Sequence, residues 1–228
     1  ACARPLTDQL FEERLITPIY YGKPGTRGHT QKAVDCEEIA MLVGKLHARA
    51  GKLNAETDGL VPISKAAEKA KVRAVTVVHM VLGGFLRRVF HLAGKDGIGA
   101  LRVDPVEVKR HATVCTEGLS PMAAFSALKI PKDIGWRLVD RCPEELSIAV
   151  DWITGPDDAH RIPRLNPEVV ANFKRNFIHP ARIAEHHGLQ VGEVVGRLKR
   201  RGIRPVLNKA EIGVDFYRAS VLDLDLFT

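Results

Sequence analysis

Nine basic residues fall between Ala171 and Ala210: Lys174, Arg175, Arg182, Arg197, Lys199, Arg200, Arg201, Arg204 and Lys209. Only Glu185 and Glu193 oppose them, so this stretch has a net charge of +7. The chemistry such a cluster offers is phosphate neutralisation, in which guanidinium and ammonium groups displace the counterions condensed on a polyanion. All 228 residues together also sum to +7, from 34 Lys plus Arg against 27 Asp plus Glu. The rest of the chain is therefore balanced, and one stretch carries the positive field. Between Asp133 and His160 the sign reverses to −5, which predicts that the two segments face different partners.

Other chemistries have weaker support. Cys2, Cys36, Cys115 and Cys142 lie 27 or more residues apart and form no C-x-x-C pair, so they read as free thiols rather than zinc ligands. His179, His186 and His187 lack a Cys or carboxylate that would complete a metal set. The glycine-rich Tyr21–Gly28 lacks the spacing of a phosphate-binding loop and reads as a flexible basic wing, with Lys23 and Arg27 able to reach a minor groove. No Ser-His-Asp, Cys-His or paired-carboxylate set stands out. The expectation is a non-enzymatic protein without metal or cofactor.

The elements that must position the basic cluster are legible in the prolines. Pro62, Pro121 and Pro180 are each 59 residues apart, and each opens a stretch of helical character: Ile63–Lys71, Met122–Lys129 and Ala181–His187. Proline suits a helix's first turn because the amide hydrogen it lacks has no intrahelical partner there. After the first helix, apolar residues fall at 0, +5 and +9 in repeat one (Val72, Val77, Val81) and repeat three (Leu189, Val194, Leu198). The last two share a helix face and the first plugs the turn, which is the pattern of a helix-turn-helix. Repeat two has Ile130, Ile134 and Leu138 at +4 and +8, so its second helix is expected one residue earlier.

Each repeat then continues into a short hairpin and a closing helix. In repeat three the hairpin uses Ile203–Leu207 and Gly213–Tyr217 around Asn208–Glu211, before Ala219–Leu224. In repeats one and two the closing helices start at Asp104-Pro105 and Asn166-Pro167, each a cap followed by a first-turn proline. The N-terminal segment reads as the end of an earlier repeat, with Tyr20–Lys32 as its wing and a closing helix from Asp35. The boundaries are 1–58, 59–117, 118–176 and 177–228.

With Val194 and Leu198 buried, the outward face of the third repeat's second helix carries Gly192, Gly196, Lys199 and Arg200. Arg182, Gln190, Arg197, Arg201, Arg204 and Lys209 flank it. Two outward glycines cost a helix about 1 kcal/mol each relative to Ala, and close approach to a phosphate strand or groove floor compensates. In repeat one the outward positions include Thr76 and His79, with Arg73, Arg87 and Arg88 nearby; they read either as base contacts or as packing on a neighbour. In repeat two the outward residue is Trp136 between Asp133 and Asp140, which favours contact with protein or packing between repeats.

The run from the Pro180 helix through Arg200-Arg201-Gly202-Ile203 to Tyr217-Arg218-Ala219-Ser220-Val221 resembles the winged helix-turn-helix of MerR-like and excisionase-like DNA-binding proteins. The tandem arrangement resembles the C-terminal half of TniQ-family transposition proteins. The resemblance implies a mainly α protein of three winged helix-turn-helix repeats with short hairpin wings, preceded by a partial fourth. It also implies double-stranded DNA as partner, with other transposition or assembly proteins besides. A transcriptional regulator, or a docking scaffold of degenerate helix-turn-helix repeats, is the other reading. The family's zinc-binding cysteines are absent here and, on this resemblance, lie upstream of Ala1; the missing initiator Met agrees with a fragment. No apolar run approaches the ~18 residues of a membrane span, and no secretion signal is present, so the expected place is the cytoplasm, in association with the nucleoid.

Overall fold

The computed structural model describes residues 6–21, 31–143, 146 and 148–224. Helix predominates, at about 52%, and the sheets are small. Among the described residues no helix is long and apolar enough to cross a membrane. The chain forms two compact units: residues 1–117 with 152–164, and residues 118–151 with 165–228.

The first unit opens with α1 (Leu6–Glu12), the antiparallel hairpin β1 (Pro18–Tyr21) and β2 (Gln31–Val34), and α2 (Cys36–His47). Asp35 starts α2 by accepting the Glu37 N–H at 2.9 Å. Then follow β3 (Gly51–Leu53), β4 (Val61–Pro62), α3 (Ile63–Ala70), α4 (Ala74–Leu82), β5 (Val89–Leu92), β6 (Leu101–Val103) and α5 (Pro105–Cys115). Four strands make one sheet in the order β3-β5-β6-β4. Val61 faces Val103 across the antiparallel β4–β6 pair, and β3 runs parallel to β5. Asp104 caps α5 by accepting the Val106 N–H, and Pro105 occupies the first turn, as the Asp-Pro pair predicts.

In the second unit α6 (Pro121–Ala127) is capped by Ser120, and α7 (Lys132–Arg141) follows. The strands β7 (Val150–Thr154) and β8 (Arg161–Leu165) make a hairpin whose residues 152–164 belong to the first unit. Then come α8 (Pro167–Asn176), capped by Asn166, β9 (Phe177–Ile178), α9 (Pro180–His187), α10 (Val191–Arg200), α11 (Lys209–Ile212) and β10 (Tyr217–Arg218). A 3-10 helix over Ala219–Asp223 stands where a longer closing helix is expected.

A similar order thus occurs three times, with a single bridge at Leu119 in place of a leading strand in the second and a 3-10 helix closing the third. The residues before the first helix pair with the returning segment each time: Val61 with Val103 and Ile178 with Tyr217 as strands, Leu119 with Leu165 as a single bridge. Between the two helices a left-handed residue makes the turn each time, at Lys71 (φ 57°), Lys129 (φ 55°) and Gly188 (φ 67°). Lys129 and Gly188 each come eight positions after their proline and Lys71 nine. The second helix of repeat two starts two residues after Ile130, just as α4 starts two after Val72 and α10 two after Leu189, so it does not begin early, and nothing in the structure explains its +4 spacing. The third hairpin is shorter than expected: Val206 and Leu207 pair with Phe216, and Asn208 caps the intervening segment into α11 instead of leaving it a loop.

The first unit has a core of its own around α4. In the second unit, Phe125, Trp136, Leu138 and Phe173 pack with Leu207, Ile212 and Phe216, so the segment from Leu207 to Phe216 completes the core formed around α6 and α7. A smaller cluster, Ile183, Val194, Leu198, Tyr217 and Val221, holds α9 against α10. Gly135 is the tightest point of the larger core: a Cβ there meets the Phe125 ring at 2.3 Å. Gly135→Ala is expected to lower stability by the ~1–3 kcal/mol typical of overpacking, read as a lower urea midpoint. Adding Phe125→Leu should recover part of the loss.

Candidate nucleic-acid interface

The apolar residues Val194 and Leu198 fix how α10 sits: both are buried against Ile183 and Ala184 of α9, which turns Gly192, Glu193, Lys199 and Arg200 to solvent. Gln190, the residue before the helix, is exposed and makes no side-chain cap bond. A Cβ built on Gly192 or Gly196 meets nothing within 4 Å. No neighbour in the fold requires these glycines, so packing does not account for their cost to the helix.

Glu193, the acid on this face, bonds Arg197 at 2.7 Å one turn on, which uses Arg197 locally. Arg182 is half-buried and lies 3.6 Å from Glu185, whose carboxylate Lys129 also holds at 2.6 Å. Lys199, Arg200, Arg201 and Arg204 are exposed and, among the described residues, enter no ion pair. Gly202 (φ 69°) turns the chain after the helix and keeps Arg204 beside the helix end. Lys209 is exposed at the start of α11. What results is a cationic strip along the last turn of α10 and the turn beyond it, on a helix that also carries two glycines one turn apart, Gly192 and Gly196. Val191, 46% exposed at the first position of α10, was not among the residues that charge and glycine content single out. Its signal was its place immediately after Gln190.

The first repeat differs from expectation. Every residue from Val75 to Leu82 is buried, with Thr76 4% and His79 1% exposed, so neither can reach a base edge. α1, α2 and α5 all pack on α4, and the Gln9 side chain accepts the Val75 N–H at 3.1 Å. Arg73 is committed to Glu12 and Glu13. Arg88 pairs with Asp104 at 2.6 Å, and the Glu107 carboxylate takes the N–H groups of Arg87 and Arg88. Of this group the Arg87 side chain alone is exposed with no ion pair among the described residues. Trp136 is likewise core rather than surface: it is 6% exposed, with its ring edge-on to Phe125 at 5.6 Å. The aromatic that stands out is Trp152 on β7, 53% exposed. Lys23 and Arg27 lie outside the described residues.

Behind α4 the first unit holds a buried polar cluster that no local spacing announces. Glu13 lies 3.0 Å from Arg73, 3.6 Å from Arg164 and 3.7 Å from the Nε2 of His79. His79 Nδ1 is 2.7 Å from His160 Nε2. Arg164 also clamps the Cys115 carbonyl, through Nε at 3.0 Å and Nη2 at 2.7 Å. Burial pushes the His79 imidazole below its ordinary range, and burial with neighbouring positive groups pushes His160 down to about 4. Both rings are therefore neutral in the folded protein near pH 7. Among the described residues no group of three or more His, Cys, Asp and Glu could hold a metal.

Unfolding frees both rings to take protons near the ordinary histidine value of about 6.5, while the folded protein takes one at His160 only near 4. Stability is accordingly fully present above about pH 6.5 and declines as pH falls toward 4. Urea titrations across that interval check this, and His160→Gln is expected to flatten the decline.

Comparison of the chain with family models, with curated proteins and with solved structures found no match in any of the three.

Proposed function

We propose that this chain is a non-enzymatic duplex-DNA-binding protein built of tandem winged helix-turn-helix repeats, with the third repeat supplying the main contact. The observation that carries the reading is the combination on α10: exposed cations without acidic partners beside two glycines that the fold itself does not need. A helix of ten residues is about 15 Å long, suited to a major groove about 12 Å wide. Bare backbone at Gly192 and Gly196 lets it approach closely, while Lys199, Arg200, Arg201, Arg204 and Lys209 neutralise phosphates. The N-terminal positions Gln190 and Val191 are the ones placed to read base edges and thymine methyls.

The strand pairing also favours this reading. In each repeat the residues before the first helix pair with the segment that returns from the hairpin, which is how a wing is tied to a helix-turn-helix. Repeats one and two then serve as framework, because their second helices are enclosed by the chain itself. Within this class we favour target recognition in bacterial transposition, on the TniQ-like arrangement and with other transposition proteins as partners. A transcriptional regulator is separated from it by a binding site within promoters.

Mobility-shift titrations on duplex DNA test the proposal. Affinity is expected to fall steeply between roughly 50 and 200 mM salt. Arg200→Glu with Arg201→Glu should weaken binding by a few kcal/mol and reduce the salt slope by about two contacts. Absence of any salt-sensitive complex would instead favour the docking scaffold. Gly192→Ala and Gly196→Ala should each raise thermal stability, by about 1 kcal/mol, since nothing crowds the added methyl. The same pair should weaken DNA binding. Unchanged affinity would remove the groove contact assigned to this face.

A further inference from the structure

The first unit has a cavity of about 580 Å³ between α2, the end of α1, the end of α4 and the tip of the β7–β8 hairpin. That volume falls in the range of small-molecule sites. Its walls are of two kinds. Leu15, Met41, Leu42 and Leu82 make an apolar surface, while Arg14, Lys45 and Arg49 bring three cations to the rim.

The one carboxylate on the walls, Glu38, is taken up elsewhere: it accepts the Thr17 N–H at 2.8 Å and the Thr17 hydroxyl at 3.0 Å. Arg49 is held in place by Asp157. Lys45, by contrast, is exposed and has no ion pair among the described residues. Met41 is 61% exposed, and its flexible thioether side chain adapts to varied apolar shapes. The described walls present no hydroxyl or thiol nucleophile, so the chemistry on offer is recognition rather than group transfer.

We infer that this cavity binds a small amphipathic anion, with an apolar body on Met41 and the leucines and a carboxylate or sulfonate head at Lys45. The inference is independent of the DNA-binding reading, because none of these residues belongs to α10. The apolar surface alone would admit any greasy molecule. The cations alone would hold only a hydrated ion. Together they select a molecule with both ends.

The test is a fluorescence titration of the full chain with 8-anilinonaphthalene-1-sulfonate, which has an aromatic body and one sulfonate. Saturable binding at one site per chain is expected, with displacement by decanoate and not by the uncharged decanol. Lys45→Glu and Met41→Glu, both at exposed positions, should each weaken binding by about tenfold or more with the circular dichroism spectrum unchanged. If binding does not saturate, if decanol displaces as well as decanoate, or if both variants bind as the parent does, the assignment fails. An altered spectrum in either variant is met by Lys45→Gln and Met41→Gln, for which a smaller loss in the same direction is required.

Discussion

An acidic side chain in a protein interior needs charged or hydrogen-bonding partners, and Glu13 is such a group. Its partners come from distant parts of the chain. Arg73 stands at the entry to α4, His79 lies within that helix, and Arg164 comes from β8 and continues to the carbonyl at the end of α5. One buried side chain therefore gathers groups from the start of α4, from within that helix and from the hairpin. It also accounts for His79 on an otherwise apolar helix: the ring faces Glu13 and His160, not solvent. Arg164 is 3% exposed, and its burial is tolerable because two carbonyls and a carboxylate surround its guanidinium.

Much of the fold was legible because it depends on local chemistry. The Asp104-Pro105 and Asn166-Pro167 pairs start α5 and α8. Of the three equally spaced prolines, Pro121 and Pro180 stand at the first helical position, while Pro62, the last residue of β4, stands one position before its helix. The surface of repeat three was legible for a related reason: one apolar stripe, Val194 and Leu198, leaves the remaining face to solvent. The same reasoning failed for Thr76, His79 and Trp136. An amphipathic pattern reports the first surface a helix packs against and is silent about a second. α7 is covered by α6 on one side and α11 on another, so Trp136 opposes the expected stripe and is still enclosed. The sequence of α4, AVTVVHMVL, did contain the clue, since a helix apolar all round is a buried one. The Glu13 cluster was not legible at all, because its members are separated by up to 151 positions and none has a repeating partner.

The three repeats share an order of elements while exposing different chemistry. Where the second helix is wrapped by other elements, as in repeats one and two, its side chains are selected for fit. In repeat three the corresponding helix packs mainly on α9, and the rest of its surface is free to become basic and glycine-rich. Helices that occupy similar places in the order of elements thus expose different chemistry according to how many of their faces are covered.

The hairpin between Trp152 and Arg164 comes late in the chain and yet belongs with its first half. Gly155 lies against the Gly83 carbonyl with no room for a Cβ, and His160 and Arg164 stand beyond it in the Glu13 cluster. During synthesis the first 117 residues, Arg73 among them, are therefore made before two other members of the Glu13 cluster, His160 and Arg164, exist. A nascent chain of that length holds Glu13 without Arg164, and His79 without His160. Completion of the first core waits on some fifty more residues leaving the ribosome, which makes the first unit the later of its own parts to close and keeps folding from running strictly from one end to the other.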